Sequence, residues 1–159
     1  MPAIISRRLL GRAVATRLTG VTNATGYYGQ IGARNGLDPT VAAPADPPAK
    51  SPTDPRAAAY FIVFPGAGAP GGEDSLDETV VDLDWPVQIT AAGGDTDDVL
   101  ALVDRIDALL YRWAPATTNG VICGPLRTPP GYSPLLFPDD AQNPRRFFVP
   151  LQYQLTAHT

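Results

Sequence analysis

The stretch Asp95–Trp113, DTDDVLALVDRIDALLYRW, most narrows what this chain can become. Val99, Leu102, Val103, Ile106, Leu109, Leu110 and Trp113 recur at steps of three and four residues, which puts them on one side of an α-helix. Asp97, Asp98, Asp104, Asp107 and Arg112 fall off that stripe. Gly93-Gly94 interrupts what comes before, Asp95 can cap the free amides, and Asp97 and Asp98 stand where the helix dipole favours carboxylates. Arg112 suits the opposite pole, and Pro115 blocks continuation. So long an apolar face has to be buried, and the flanking segments are expected to build the sheet that it covers.

Those segments carry the period of strands. From Val81 to Thr90 the chain alternates, with Val81, Leu83, Trp85, Val87 and Ile89 on one side and Asp82, Asp84, Pro86, Gln88 and Thr90 on the other. Pro86 cannot donate to a ladder, so a bulge or an edge is expected there. The last segment repeats the alternation, with Phe147, Val149, Leu151, Tyr153 and Leu155 inward. Residues 59–64, AYFIVF, are apolar throughout and closed by Pro65-Gly66, as befits a strand inside a sheet. Shorter strands are expected at 25–31 and 120–124. A second helix is expected over residues 3–18, with Ile5, Leu9, Ala13 or Val14 and Leu18 on its face and Gly20 ending it. The order of elements predicts an α+β domain, residues 1–159, with a mostly antiparallel sheet of about four to five strands and two helices on one face.

Two stretches break the periodicity. Residues 37–57 are rich in Pro, Ala and Asp and read as an extended arm that reaches a neighbour. Residues 127–146 form a second proline-rich loop, with Tyr132, Leu135, Leu136 and Phe137 at its centre and Arg145-Arg146 at its return. Apolar side chains on such a loop call for a covering surface, and a partner subunit is the expected one. Residues 66–72, GAGAPGG, have neither the GK[ST] of a phosphate-binding loop nor a helix pattern after them, and read as a flexible turn.

Charge is unevenly placed. The net charge is −4, yet residues 1–36 hold Arg7, Arg8, Arg12, Arg17 and Arg34 with no acid, while residues 73–107 hold eleven acids against Arg105. Such runs are commonly no more than solvated faces, and beyond that the polarity allows head-to-tail self-association or a polyanion-facing edge. Arg7 and Arg8 are then expected among the contacts, with Arg145-Arg146 near a partner surface that includes the acidic 73–84 region. The residues also narrow the chemistry. One His and one Cys make no zinc set, and Cys123 lies in an apolar run with no neighbouring base or cation. With His158 one residue from the end of the sequence, only carboxylates are left for acid–base work, so no catalytic residue, metal or cofactor is assigned. Asp82 and Asp84 share a strand face without a third ligand. No apolar run approaches the roughly 20 residues of a membrane span, and the N-terminal stretch, with no signal-peptide core, reads as part of the fold.

The order of these elements resembles the tail terminator, or tail completion, proteins of long-tailed bacteriophages. The resemblance is carried by the arginine-rich first helix, Tyr27-Tyr28-Gly29-Gln30, Tyr60-Phe61-Ile62-Val63, Val87-Gln88-Ile89-Thr90 ahead of Gly93-Gly94-Asp95, the helix Val99–Trp113, and the closing Val149-Pro150-Leu151-Gln152-Tyr153-Gln154-Leu155. These are patterns of residue class and order, and the 37–57 insert is longer than that pattern. The resemblance implies a non-enzymatic virion protein, assembled in the host cytoplasm. It implies a homo-oligomeric ring, usually a hexamer, at the head-proximal end of the tail tube. Such a ring stops tube polymerisation and meets the major tail tube protein and the head-closure protein. DNA passes its bore without sequence-specific binding. Another neck or tube component, such as a stopper or tube protein, is the alternative expectation, and a small carboxylate-dependent hydrolase is a remote one.

Overall fold

Helix and strand follow the hydrophobic period of the chain. A computed structural model describes residues 4–71, 80–116 and 119–159. In chain order its elements are α1 (Arg7–Leu18), β1 (Thr25–Tyr28), β2 (Ala49–Ser51), β3 (Asp54–Ala57), β4 (Tyr60–Pro65), β5 (Ala69–Pro70), β6 (Asp82–Gly93), α2 (Thr96–Leu110), β7 (Ile122–Cys123), β8 (Phe137–Asp139) and β9 (Arg146–His158). The main sheet runs β1-β4-β6-β9-β7, with β5 added to β6 and β8 to β9. Among the described residues only the β1–β4 pair is parallel. The α+β class is therefore as expected, but the sheet has seven strands. The excess comes from β5 and β8, short pairings within stretches that read as a turn and a loop.

The centre is the ladder between β6 and β9, in register from Asp82↔His158 to Gly93↔Phe147. One face of it presents Trp85, Val87, Ile89, Leu151, Tyr153 and Leu155, joined by Phe61 and Val63 of β4, and both helices pack into this cluster. In α2 the residues Val99, Leu102, Ile106 and Leu110 are fully enclosed. Asp95 caps the helix by accepting from the Asp97 amide at 3.0 Å. The other end differs from expectation. Arg112 does not complement the last turn; it lies beyond it at φ 64°, where the chain turns back so that the Arg112 amide donates to the Leu126 carbonyl at 2.8 Å.

In α1 the buried residues are Leu10, Gly11, Val14, Ala15 and Leu18, and Leu9 points to solvent. Of the expected face Ile5, Val14 and Leu18 are buried as expected, and only Leu9 is displaced, its place taken by Leu10. Ile5 is buried but precedes the helix, which starts only after the Ser6 cap, so the helical count begins later. The helix closes at Thr19, whose amide bonds back to the Ala15 carbonyl, and Gly20 follows it. Val81, expected inward, lies just outside β6 and is exposed.

Pro86 sits in a central strand and still obeys the rule for prolines. Its partner Gln154 exchanges both backbone bonds with Arg127, on the side away from β6, so this rung of the β6–β9 ladder carries no bond. On its other side the Pro86 carbonyl accepts from Gly66 at 2.9 Å, where β4 has ended and the chain bends away toward β5. The missing N–H faces a break in the neighbouring strand, which makes the position locally an edge.

Residues 37–57 are tied back to the domain, contrary to the extended arm expected. They contain the β2–β3 hairpin, Leu37 packs on the core, and the Gly94 amide donates to Ala57. Lys50 and Arg56 pair with Asp98 and Asp95 at 2.6 and 3.2 Å, fastening the hairpin to the start of α2. The acidic run Glu73–Glu78 lies outside the described residues, and with it most of the 73–84 region expected to meet Arg145 and Arg146.

Two outcomes follow from this packing. Leu102→Asp or Ile106→Asp leaves an unpaired charge against the sheet, at roughly 3–5 kcal/mol for a buried charge without a partner. A domain holds only about 5–15 kcal/mol, so the urea midpoint falls steeply or soluble protein is lost; a wild-type midpoint would contradict the packing. Separately, the Arg56 guanidinium holds the Asp54 carboxyl at about 2, below its ordinary 3.8. A depressed folded value contributes stability above the unfolded pKa and loses it as pH falls toward 2. Arg56→Ala should return Asp54 toward 3.8, read by a carboxyl-carbon NMR titration.

Candidate functional site

Three exposed surfaces remain once the core is accounted for. The sheet face away from the helices is the broadest. Alternation along the strands puts Gln88, Thr90, Gln152, Gln154 and Thr156 on it, with Gln88 donating to Thr90 at 3.2 Å and Thr156 to Asp84 at 2.7 Å. An apolar cluster closes one corner, where Tyr27, Ala57, Tyr60 and Ala92 are enclosed by Ile31, Ala43, Ile62 and Phe148, and Phe64 of β4 lies exposed opposite Gln88. At the opposite corner a shallow trough of about 720 Å³ runs between β5 and residues 124–127, lined by Gly68, Asp84, Pro86, Arg127, Gln154 and Thr156. Its polar groups are those of a solvated strand surface.

The 127–146 loop crosses one margin of this sheet. Its apolar residues divide. The Tyr132 hydroxyl donates to the Pro150 carbonyl and Leu136 packs on the core, so the chain itself covers these two. Leu135 is 67% exposed, and Phe137 is 43% exposed although β8 sets its ring 5.7 Å from that of Phe148. The arginines at the loop's return are also engaged within the chain. Arg145 pairs with Asp140 at 2.7 Å, whereas Arg146 lies 5.5 Å from the Tyr60 ring centroid and donates to its hydroxyl at 3.2 Å. The expected site thus reduces to Leu135 and Phe137 as side chains left uncovered.

The third surface is a groove of about 350 Å³ on the helical side, between α1 and Pro115, Ala116, Asn119, Val121 and Cys123. Ile5, Leu10, Val121 and Cys123 line it, together with Ile4, Leu9 and Ala13 of the outer wall. Arg12 lines it too, its guanidinium 4.1 Å from the Tyr28 ring centroid. Arg8 lies one turn earlier on α1 and is exposed, while Arg7 donates to the Ala67 carbonyl. Periodicity counted from Ile5 hid this groove, because it assigned Leu9 to the core.

Among the described residues, side chains able to do chemistry do not converge. Cys123 pairs in register with Ala157, which is buried on the helix side, and His158, next along β9, takes the other face, opposite Asp82. Burial pushes the Cys123 thiol up, away from thiolate. The Tyr153 hydroxyl is likewise pushed up by burial and by donating to Asp107 at 2.8 Å, which makes it a structural donor. Among the described residues no group of His, Cys, Asp or Glu is arranged to hold a metal ion, and no helix is long and apolar enough to cross a membrane.

No known protein family matches this sequence, and no curated protein does.

Because sheet alternation separates Cys123 from His158, neither has a partner for chemistry in the other, and His158→Ala, at an exposed position of β9, should leave circular dichroism and the urea midpoint unchanged. A large fall in the midpoint would show that His158 holds the β9 end in place.

Proposed function

We propose that this chain is a structural subunit that assembles with copies of itself into a ring, and that the ring caps the head-proximal end of a bacteriophage tail tube. The observation that carries the proposal is the separation of two unlike surfaces on one α+β domain. The basic α1 with its open apolar groove lies on one element, and acids crowd the outer side of α2 on another. A body with two different, complementary patches associates head to tail, and such contacts close into rings when the rotation allows.

Other features support the same reading. The Gln- and Thr-rich sheet face, with Asp84 and Arg127 at one corner, suits a surface that meets a partner without a deep pocket. Exposed Leu135 and Phe137 at the sheet margin supply apolar anchors for a neighbouring subunit, the tube protein or the head-closure protein. A net charge of −4 fits a bore through which DNA slides without being held.

The test is size and capping together. Light scattering and negative-stain imaging of the purified chain should show rings several times its 16.8 kDa mass, and these should stop polymerisation of the cognate tube protein. A strict monomer at high concentration would overturn the ring. Leu135→Ser with Phe137→Ser should leave circular dichroism unchanged, because both side chains are already exposed, and lower capping at least tenfold. Unaltered capping would remove the loop from the assembly surface.

A further inference from the structure

We propose that the groove beside α1 receives the outward face of α2 from a second copy of this chain. This rests on the ring reading and names the two surfaces that form its junction. The groove offers Ile4 at 84% and Leu9 at 48% exposure on its outer wall, far more apolar area than a helix start leaves in water without a partner. The charged residue in its lining is Arg12, exposed Arg8 lies one turn earlier on α1, and residues 4–36 contain no acid to balance them.

The complementary element is the second stripe of α2. Opposite its buried face, Asp97, Leu100, Asp104, Ala108 and Tyr111 recur at steps of three and four, so they form one continuous ridge. Leu100 is 47% and Tyr111 46% exposed. Leu100 and Tyr111 therefore alternate with carboxylates along the ridge, as a helix would that lays apolar anchors in a groove and acids against a basic rim. The lengths agree as well: the groove follows Ile4 to Thr16 and the ridge Asp97 to Tyr111, each roughly 20 Å at 1.5 Å per helical residue.

The chain's own α2 cannot fill its own groove. Within one copy, α1 meets α2 at their C-terminal ends, where Arg17 donates to the Leu109 carbonyl at 3.1 Å and its guanidinium lies 5.6 Å from the Trp113 ring centroid. The groove runs along the side of α1 marked by Leu9, Arg12, Ala13 and Thr16, turned away from the core-facing Val14 and Leu18. Placing a second copy's α2 there extends the helical layer from subunit to subunit, α2 to α1 within a copy and α1 to α2 between copies. Each junction uses two different patches, so the contact is heterologous and propagates until it closes.

The test uses the full chain and two single-surface variants. Leu9→Asp spoils the groove and Leu100→Asp spoils the ridge; both positions are exposed, so circular dichroism should stay at wild type. Each variant alone should self-associate at least tenfold more weakly in sedimentation equilibrium. An equimolar mixture should give heterodimers and no larger species, because one intact junction forms and cannot propagate. Arg8→Glu and Asp104→Arg should each weaken assembly, most at low salt, and combining them in one chain should restore it. If the variants assemble as wild type, or if the mixture behaves as the sum of its parts, the pairing is overturned while the ring stands. If Leu9→Asp weakens assembly and Leu100→Asp does not, the groove takes another segment and the pairing is likewise overturned. A wild-type chain that stays monomeric throughout overturns the ring reading itself.

Discussion

The ladder between β6 and β9 carries everything else in this molecule. Its long continuous register holds Trp85, Ile89, Leu151 and Tyr153 on one surface, and against that surface α2 buries Val99, Leu102, Ile106 and Leu110. Neither part is stable without the other: a two-stranded ribbon is marginal in water, and a fifteen-residue helix gains most of its stability from the face it packs. Around this unit the remaining elements are additions. β4 extends the sheet on one side and brings Phe61 and Val63 to the same core, α1 closes over β4, and the short strands finish the margins.

Prolines mark where the ladder is interrupted. Pro86 and Pro150 lie within the two longest strands, yet each turns its nitrogen to a place where the neighbouring strand has ended. The carbonyl of Pro150 is instead taken by the Tyr132 hydroxyl, which fastens the 127–146 loop to the sheet. A loop that would otherwise be a long structureless excursion is thereby held along one margin, with Leu135 and Phe137 turned outward. The hairpin of residues 49–57 is held in a similar way, by ion pairs to the first turn of α2, so both proline-rich stretches belong to the body of the domain.

In the proposed ring, the helical side and the sheet side do different work. The helical layer, with arginines on α1 and acids on α2, holds neighbouring copies together, whereas the Gln- and Thr-lined sheet and its loop margin are left for other proteins. Such a division lets the contact between copies be strong without committing the surface that must fit the tube and the head.

The local pattern was enough to place the elements with strong periods. The stripe of α2, its Asp95 cap, the alternation of β6 and β9 and the apolar run of β4 are written in neighbouring residues, because helix and strand repeat over distances the chain spans locally. The uneven charge was equally legible, since it depends only on composition along the chain. What needed the tertiary structure was phase and partnership. Whether Leu9 or Leu10 faces the core depends on where α1 begins, and Ser6 decides that. The strand character of β5 and β8 exists only because β6 and β9 lie beside them. Arg145, Arg146, Tyr132 and Leu136 read as residues seeking a partner, and folding supplies one for each within the same chain. The groove beside α1 was invisible for the same reason: it is formed by two segments about a hundred residues apart, and only the packing of the sheet brings them together.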